Sequence, residues 1–222
     1  MNNSFLLPDL ESAIDLQSYL NRAKRLDPDG MVRFRAFGAM LAVYVAPIFA
    51  GSLMDSGPTV LGLRTVDLVE PVELDAVIPL AAALDRLAKM ASDAEAGTND
   101  FKFDVPPSQR AAWAGISPPR TAWESMGTIN ETRLTQIARD GIAEVANAIP
   151  ESVGGPIAAR IRGEIWGRGI DLESKVPTGA AFAAAGLGFL TENEEVGLYH
   201  TGGWVRLSAM HGHVLARVAV KF

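Results

Sequence analysis

Shifted by 164 residues, the chain lays an early helix-and-hairpin pattern on a late one. Leu26 falls on Leu190, Val32 on Val196, Phe34 on Leu198, Gly38 on Gly202, Met40 on Trp204 and Val43 on Leu207. In the first copy, "DLQSYLNRAKRL" sets Leu16, Tyr19, Leu20, Ala23 and Leu26 on one helical face, with Asp15 as N-cap. "DPDG" turns the chain, "MVRFRAF" alternates around Val32 and Phe34, Gly38 turns it again and "MLAVYVA" returns. Because no gap breaks the register, an α+β fold is expected. It would hold two helix-plus-β-hairpin units, related by internal duplication and covered by central helices.

A third strand is expected in "TVLGLRTVDLV" (59–69), followed by a helix in "DAVIPLAAALDRLAKM" with Pro79 in its first turn. From Ala91 to Pro119 the chain is rich in Ala, Gly, Asp, Asn and Pro, and it reads as a long connection packed through Phe101, Phe103 and Trp113. This divides the chain into an N-terminal α+β unit (1–95), a connecting segment (96–119) and a C-terminal unit (120–222). In the last, "WESMGTI" reads as a strand. "NETRLTQIARDGIAEVANAI" gathers Leu134, Ile137, Ala138, Ile142, Val145 and Ile149 on one helical face. Helices over 156–168 and 178–190 and strands near 195–200, 203–209 and 213–220 complete the pattern. Three helices and a hairpin in that order make this part winged-helix-like.

Charge narrows the function. Residues 1–104 carry nine Lys and Arg against fifteen Asp and Glu, and residues 105–222 carry eleven of each. Neither part has the basic excess that phosphate contacts use, and the helix in the recognition position, "TGAAFAAAGLGFL", offers only Thr178 to a base edge. Nucleic acid is therefore disfavoured as a partner. If a regulator with a degenerate winged helix-turn-helix exists here, Arg160, Arg162, Arg168, Lys175 and Arg206 must serve it. The chain has no Cys, which fits a reducing cytoplasm, and its first residues lack the basic and apolar regions of a signal peptide. Residues 36–54 run uncharged for nineteen positions, but Gly38, Pro47 and Gly51 interrupt them, so a hairpin strand is expected rather than a membrane span.

Two groups of residues could carry chemistry. His211 and His213 would share a face of a strand at i and i+2, and His200 in the neighbouring hairpin could add a third nitrogen around a metal, with Glu192, Glu194 or Glu195 adding an oxygen. In "PPRTAWESMGTI" (118–129), Pro118 and Pro119 stiffen the chain ahead of Trp123, and Glu124 can pair with Arg120. Arg120, Trp123 and Glu124, with Trp204, could also hold an anionic or aromatic ligand. The sequence contains no phosphate-binding loop, dinucleotide fingerprint or nucleophile elbow, and it calls for no cofactor.

"DLQSYLNRAKRLDPDGMVRFR", then "PPRTAWESMGTI", then "GFL" leading into "GGWVRL" resemble an uncharacterised family of high-GC Gram-positive (actinobacterial) bacteria across nearly the whole chain. The resemblance implies a small α+β protein inside the cell and no particular activity. The expected function is a non-enzymatic binding protein that forms a homo-oligomer, since its uncharged segments offer more apolar surface than one copy hides. The alternatives are the winged-helix regulator and a small-molecule-binding or metal-dependent enzyme built on the histidines.

Overall fold

The computed structural model describes residues 3–50, 57–98, 100–115, 117–150, 154–171 and 175–217. The fold is α+β, and the chain divides into two compact units. Unit 1 holds Met1–Val45 and Leu63–Ala114, and unit 2 holds Ala46–Gly62 and Gly115–Phe222.

In unit 1, β1 (Ser4–Leu6) leads into α1 (Leu10–Leu26). The helix starts nearly two turns earlier than the Asp15 cap implied, because Asp9 accepts from the Ser12 N–H at 2.8 Å and caps it. Asp15 instead pairs with Arg64 at 2.6 Å. The strands β2 (Met31–Phe37), β3 (Met40–Ile48), β4 (Thr59–Asp67) and β5 (Leu74–Pro79) follow, then α2 (Leu80–Glu95) and β6 (Lys102–Asp104). Strand order is β5-β2-β3-β4. The helix expected over 75–90 is corrected to a strand and a shorter helix. Leu74 to Pro79 pair antiparallel with β2, where Val77 and Ile78 are buried, and Pro79 caps α2 without needing an N–H. β1 and β6 form a separate ribbon with Phe5 opposite Phe103. Their rings lie parallel at 4.8 Å, and Phe34 of β2 meets both edge-on at 5.4 and 5.3 Å. Trp113, in a short 3-10 turn at Ala112–Gly115, is buried as well. Of the expected connecting segment, the part up to Ala114 thus belongs to unit 1.

Arg33 ties this unit together. Its Nε and Nη2 donate to both Asp75 oxygens at 2.7 and 2.6 Å, and Nη1 donates to the Ala114 carbonyl at 2.6 Å. The hydrogen bonds from Arg33 hold the Asp75 carboxyl below its ordinary value of 3.8. A group shifted in this direction adds stability above the ordinary value and loses it as the pH falls through the lowered one. Below about pH 4, the melting temperature of the native protein is therefore expected to fall more steeply than that of Asp75→Asn. Equal slopes in a thermal melt series would show that the pair contributes nothing.

Unit 2 runs β7 (Glu124–Asn130), α3 (Glu131–Ala148), α4 (Gly155–Trp166), α5 (Thr178–Gly186), β8 (Glu195–Thr201), β9 (Trp204–Ala209) and β10 (Gly212–Arg217). Its strands lie in the order β10-β9-β8-β7, antiparallel throughout. The expected strand over 213–220 ends within the described residues at Arg217, and 218–220 lie outside them. The winged-helix expectation is corrected here. In α5, Gly179, Ala180, Ala181, Ala183 and Ala184 are all buried, so the helix in the recognition position is a core helix. Gly179 admits it closely: a Cβ there would lie 2.7 Å from Ile48 and 3.0 Å from the Trp166 carbonyl.

The internal repeat is present in both units. β2 and β8, like β3 and β9, start at the same 164-residue offset, with Gly38 (φ +61°) and Gly202 (φ +49°) at matching turns. Both glycines occupy left-handed backbone that a side chain would strain. Val32 and Val196, Phe34 and Leu198, and Val43 and Leu207 are buried at equivalent places. The pair Met40 and Trp204 differs, with the methionine half exposed and the tryptophan buried. Among the described residues no helix is long and apolar enough to cross a membrane.

Candidate functional site

Residues directly opposite in antiparallel strands point to the same side, so register sorts the side chains of unit 2. Tyr199 faces Arg206, Arg206 faces Leu215, and Ser208 lies between Gly197 and His213. Tyr199, Arg206, Ser208 and His213 thus share one half-exposed face, while Val196, Leu198, Val205 and Leu207 fill the buried one. On the half-exposed face the Arg206 guanidinium carbon lies 4.4 Å from the Tyr199 ring centre and 4.7 Å from that of Trp123.

The loop before β7 delivers Trp123 to this place. Ala122 has φ +62°, left-handed backbone that is costly for a residue with a Cβ. Beyond this bend, the Trp123 indole N–H donates to the Pro119 carbonyl at 3.1 Å. The Pro119 carbonyl thus holds the half-buried indole in place. The arginine that stacks on it, however, is Arg206, brought from β9 by strand pairing. Glu124 pairs with His200, its register partner, at 3.4 Å. Arg120 is exposed, and Trp204 is buried at the end of β9 opposite Thr201 and Arg217.

The structure does not bring the three histidines together. His211 sits in the turn before β10, so it does not share a strand face with His213. His200 is opposite Val205 and His213 is opposite Ser208, three positions further along β9, which puts them on opposite faces. Among the described residues no three His, Asp or Glu side chains gather as metal ligands would. His213 Nδ1 lies 3.1 Å from the Ser208 hydroxyl. Burial, followed by the charge of Arg206, pushes its pKa below the ordinary 6.5.

Of the cations that a winged-helix regulator needed, Arg160 pairs with Glu164 at 3.6 Å and Arg168 takes both oxygens of Glu144 at 2.5 and 3.1 Å. Arg206 is stacked on the two rings. The remaining exposed helix cations include Arg133 and Arg139 on α3 and Arg162 on α4.

Comparison of the fold with solved structures gives a consistent result. The chain is similar to a provisionally assigned DNA polymerase III beta subunit of Eubacterium rectale (TM-score 0.56, 9% identity, 99% of this chain and 65% of that one). It is also similar to the DNA polymerase III subunit beta of Borrelia burgdorferi (0.54, 7%, 100% and 65%) and to pol III beta of Caulobacter crescentus (0.50, 12%, 95% and 64%). The chain therefore spans about two thirds of the length of these proteins. This likeness overturns the three functional expectations: the unspecified interaction protein, the winged-helix regulator and the histidine enzyme. Nor does it support disfavouring nucleic acid. No curated protein matches the sequence. Residues 118–221 match a second domain of unknown function, DUF8185. By the match of its residues 1–115, the chain belongs to the family described as a domain of unknown function, DUF8010.

Proposed function

We propose that this protein is a sliding-clamp-like scaffold, in which several copies of the chain close around duplex DNA and hold it by enclosure. The observation that carries this reading is the likeness to a polymerase beta subunit over 99% of the chain at a TM-score of 0.56. Enclosure also accounts for the charge. A ring that cannot come off a closed DNA circle does not need the dense cationic surface that holds a protein to phosphates by attraction, so a net charge of −6 is compatible with it. More than one copy is required because a single chain spans only about two thirds of such a subunit. β7 offers a place to join. It is the last strand of the unit 2 order, and its residues from Glu124 to Thr128 are exposed. An open strand edge of this kind can pair with another chain.

The test compares one plasmid in two forms. The protein is assembled with nicked circular DNA or with the same DNA linearised, washed in high salt and recovered with the DNA, while its mass is followed by light scattering. The expected result is a homo-oligomer that stays on the circle and is lost from the linear form. A protein that is monomeric at every concentration, or one that salt removes equally from both forms, would overturn the proposal.

A further inference from the structure

We infer that Arg206, with Trp123 and Tyr199, forms a binding site for a single carboxylate group on the half-exposed face of the unit 2 strands. An arginine is always charged, and moving a charge out of water is unfavourable unless it is paired. Arg206 is partly buried, yet among the described residues it has no ion pair and no hydrogen bond, and its Nε is fully enclosed without a partner. The two rings stabilise the cation through their π faces, but they leave the donor fork unused. With Nε enclosed, a ligand must approach end-on to the two Nη groups. A planar guanidinium edge presents paired N–H donors that match the two oxygens of a carboxylate. The aromatic walls also fix the fork in place, so little side-chain freedom is lost when it is filled.

Charge matching selects a carboxylate over a phosphate. The other polar side chains that share this face are Tyr199, Ser208, His213 and, at the strand end opposite Trp204, the exposed Arg217. Ser208 is engaged with His213, and the burial of His213 beside Arg206 keeps its imidazole neutral above its ordinary 6.5. Between the two rings the site thus supplies the one guanidinium of Arg206, enough for one carboxylate, while Arg217 stands exposed to water at the strand end. A phosphate group carries nearly two negative charges at neutral pH and would keep an uncompensated one. Glu124, the acidic residue next to Trp123, is paired with His200 and so does not fill the fork.

Acetate and inorganic phosphate are suitable probes, each added to the isotope-labelled protein against sodium chloride at matched ionic strength. The Trp123 indole N–H and the Arg206 Nε–H are followed by NMR, together with the His213 titration. Acetate is expected to shift both N–H signals saturably and, by offsetting the Arg206 charge, to raise the pKa of His213. Arg206→Lys keeps the charge but loses the planar fork, and it should weaken acetate binding by about tenfold or more. Arg162→Lys makes the same exchange at an exposed arginine of α4 and should bind as the native protein does, which shows that the loss belongs to the site. Acetate shifts no larger than those of chloride, or unchanged by Arg206→Lys, would overturn the inference. Saturation by phosphate at lower concentration than acetate would overturn the choice of ligand.

Discussion

Phe34→Ala is expected to destabilise unit 1 by about 3–5 kcal/mol, measured as a fall in the urea midpoint without a change in slope. Phe34 is fully buried at the centre of β2 and touches the rings of both Phe5 and Phe103. Removing it deletes two edge-to-face contacts and leaves a cavity beneath the β1–β6 ribbon, whose strands are only three residues long. The loss should therefore extend to that ribbon. Phe37, three positions along the same strand but 36% exposed, is the internal control, and its alanine variant should cost about 1 kcal/mol or less. If the two variants cost the same, the aromatic cluster does not organise the unit.

Phe34 was also among the residues most easily read in the sequence. Alternation around Val32 and Phe34, a glycine, and a second alternating run require a hairpin on short-range grounds alone, and the same pattern at 195–209 exposed the repeat. Where the sequence misled, a competing local signal was stronger. Ala81 to Ala83 pulled the helix back over Val77 and Ile78, which strand pairing with β2 claims instead. In α5 the lack of charge was visible, but the order of helices and hairpin suggested a wing, and only burial shows the helix to be core. The candidate site was half legible. In the sequence Trp123 stands near Arg120, but the arginine that stacks on it is 83 residues away, placed by the β8–β9 register. The likeness to polymerase beta subunits had no readable signature, since it is a likeness of fold at 7–12% identity.

In unit 2 the largest expected effect comes from one added methyl group. Gly141 lies on the buried side of α3, and a Cβ built there would come within 2.7 Å of Trp166 Cη2 and closer still to Cζ3. Trp166 has no room to retreat. It is buried and stacks on Phe182 at 4.6 Å. Alanine favours helices over glycine by about 1 kcal/mol, so a surface replacement would stabilise α3. Here overpacking should dominate, and Gly141→Ala is expected to lose about 1–3 kcal/mol, a fall of several degrees in the melting temperature. Trp166→Phe shortens the ring that collides. If the clash is the cause, the double variant should be more stable than the sum of the two single losses predicts. Strict additivity would place the cost elsewhere.

Of the described residues, 46–50 and 57–62 belong to unit 2 although the stretches before and after them belong to unit 1, so unit membership changes at three points along the chain. Ile48 and Pro58 lie so near Gly179 and Gly167 that a Cβ on either glycine would come within 2.7 and 3.4 Å of them. The inherited modules, which meet between residues 115 and 118, are therefore not the folding modules. A polypeptide severed there would leave Ile48 and Pro58 in its first half and the glycines they meet in its second. Made together, the halves should reassemble. Made apart, each should seek a substitute and aggregate. Exchange of either module between relatives is thus constrained by the fit of Ile48 and Pro58 against Gly179 and Gly167.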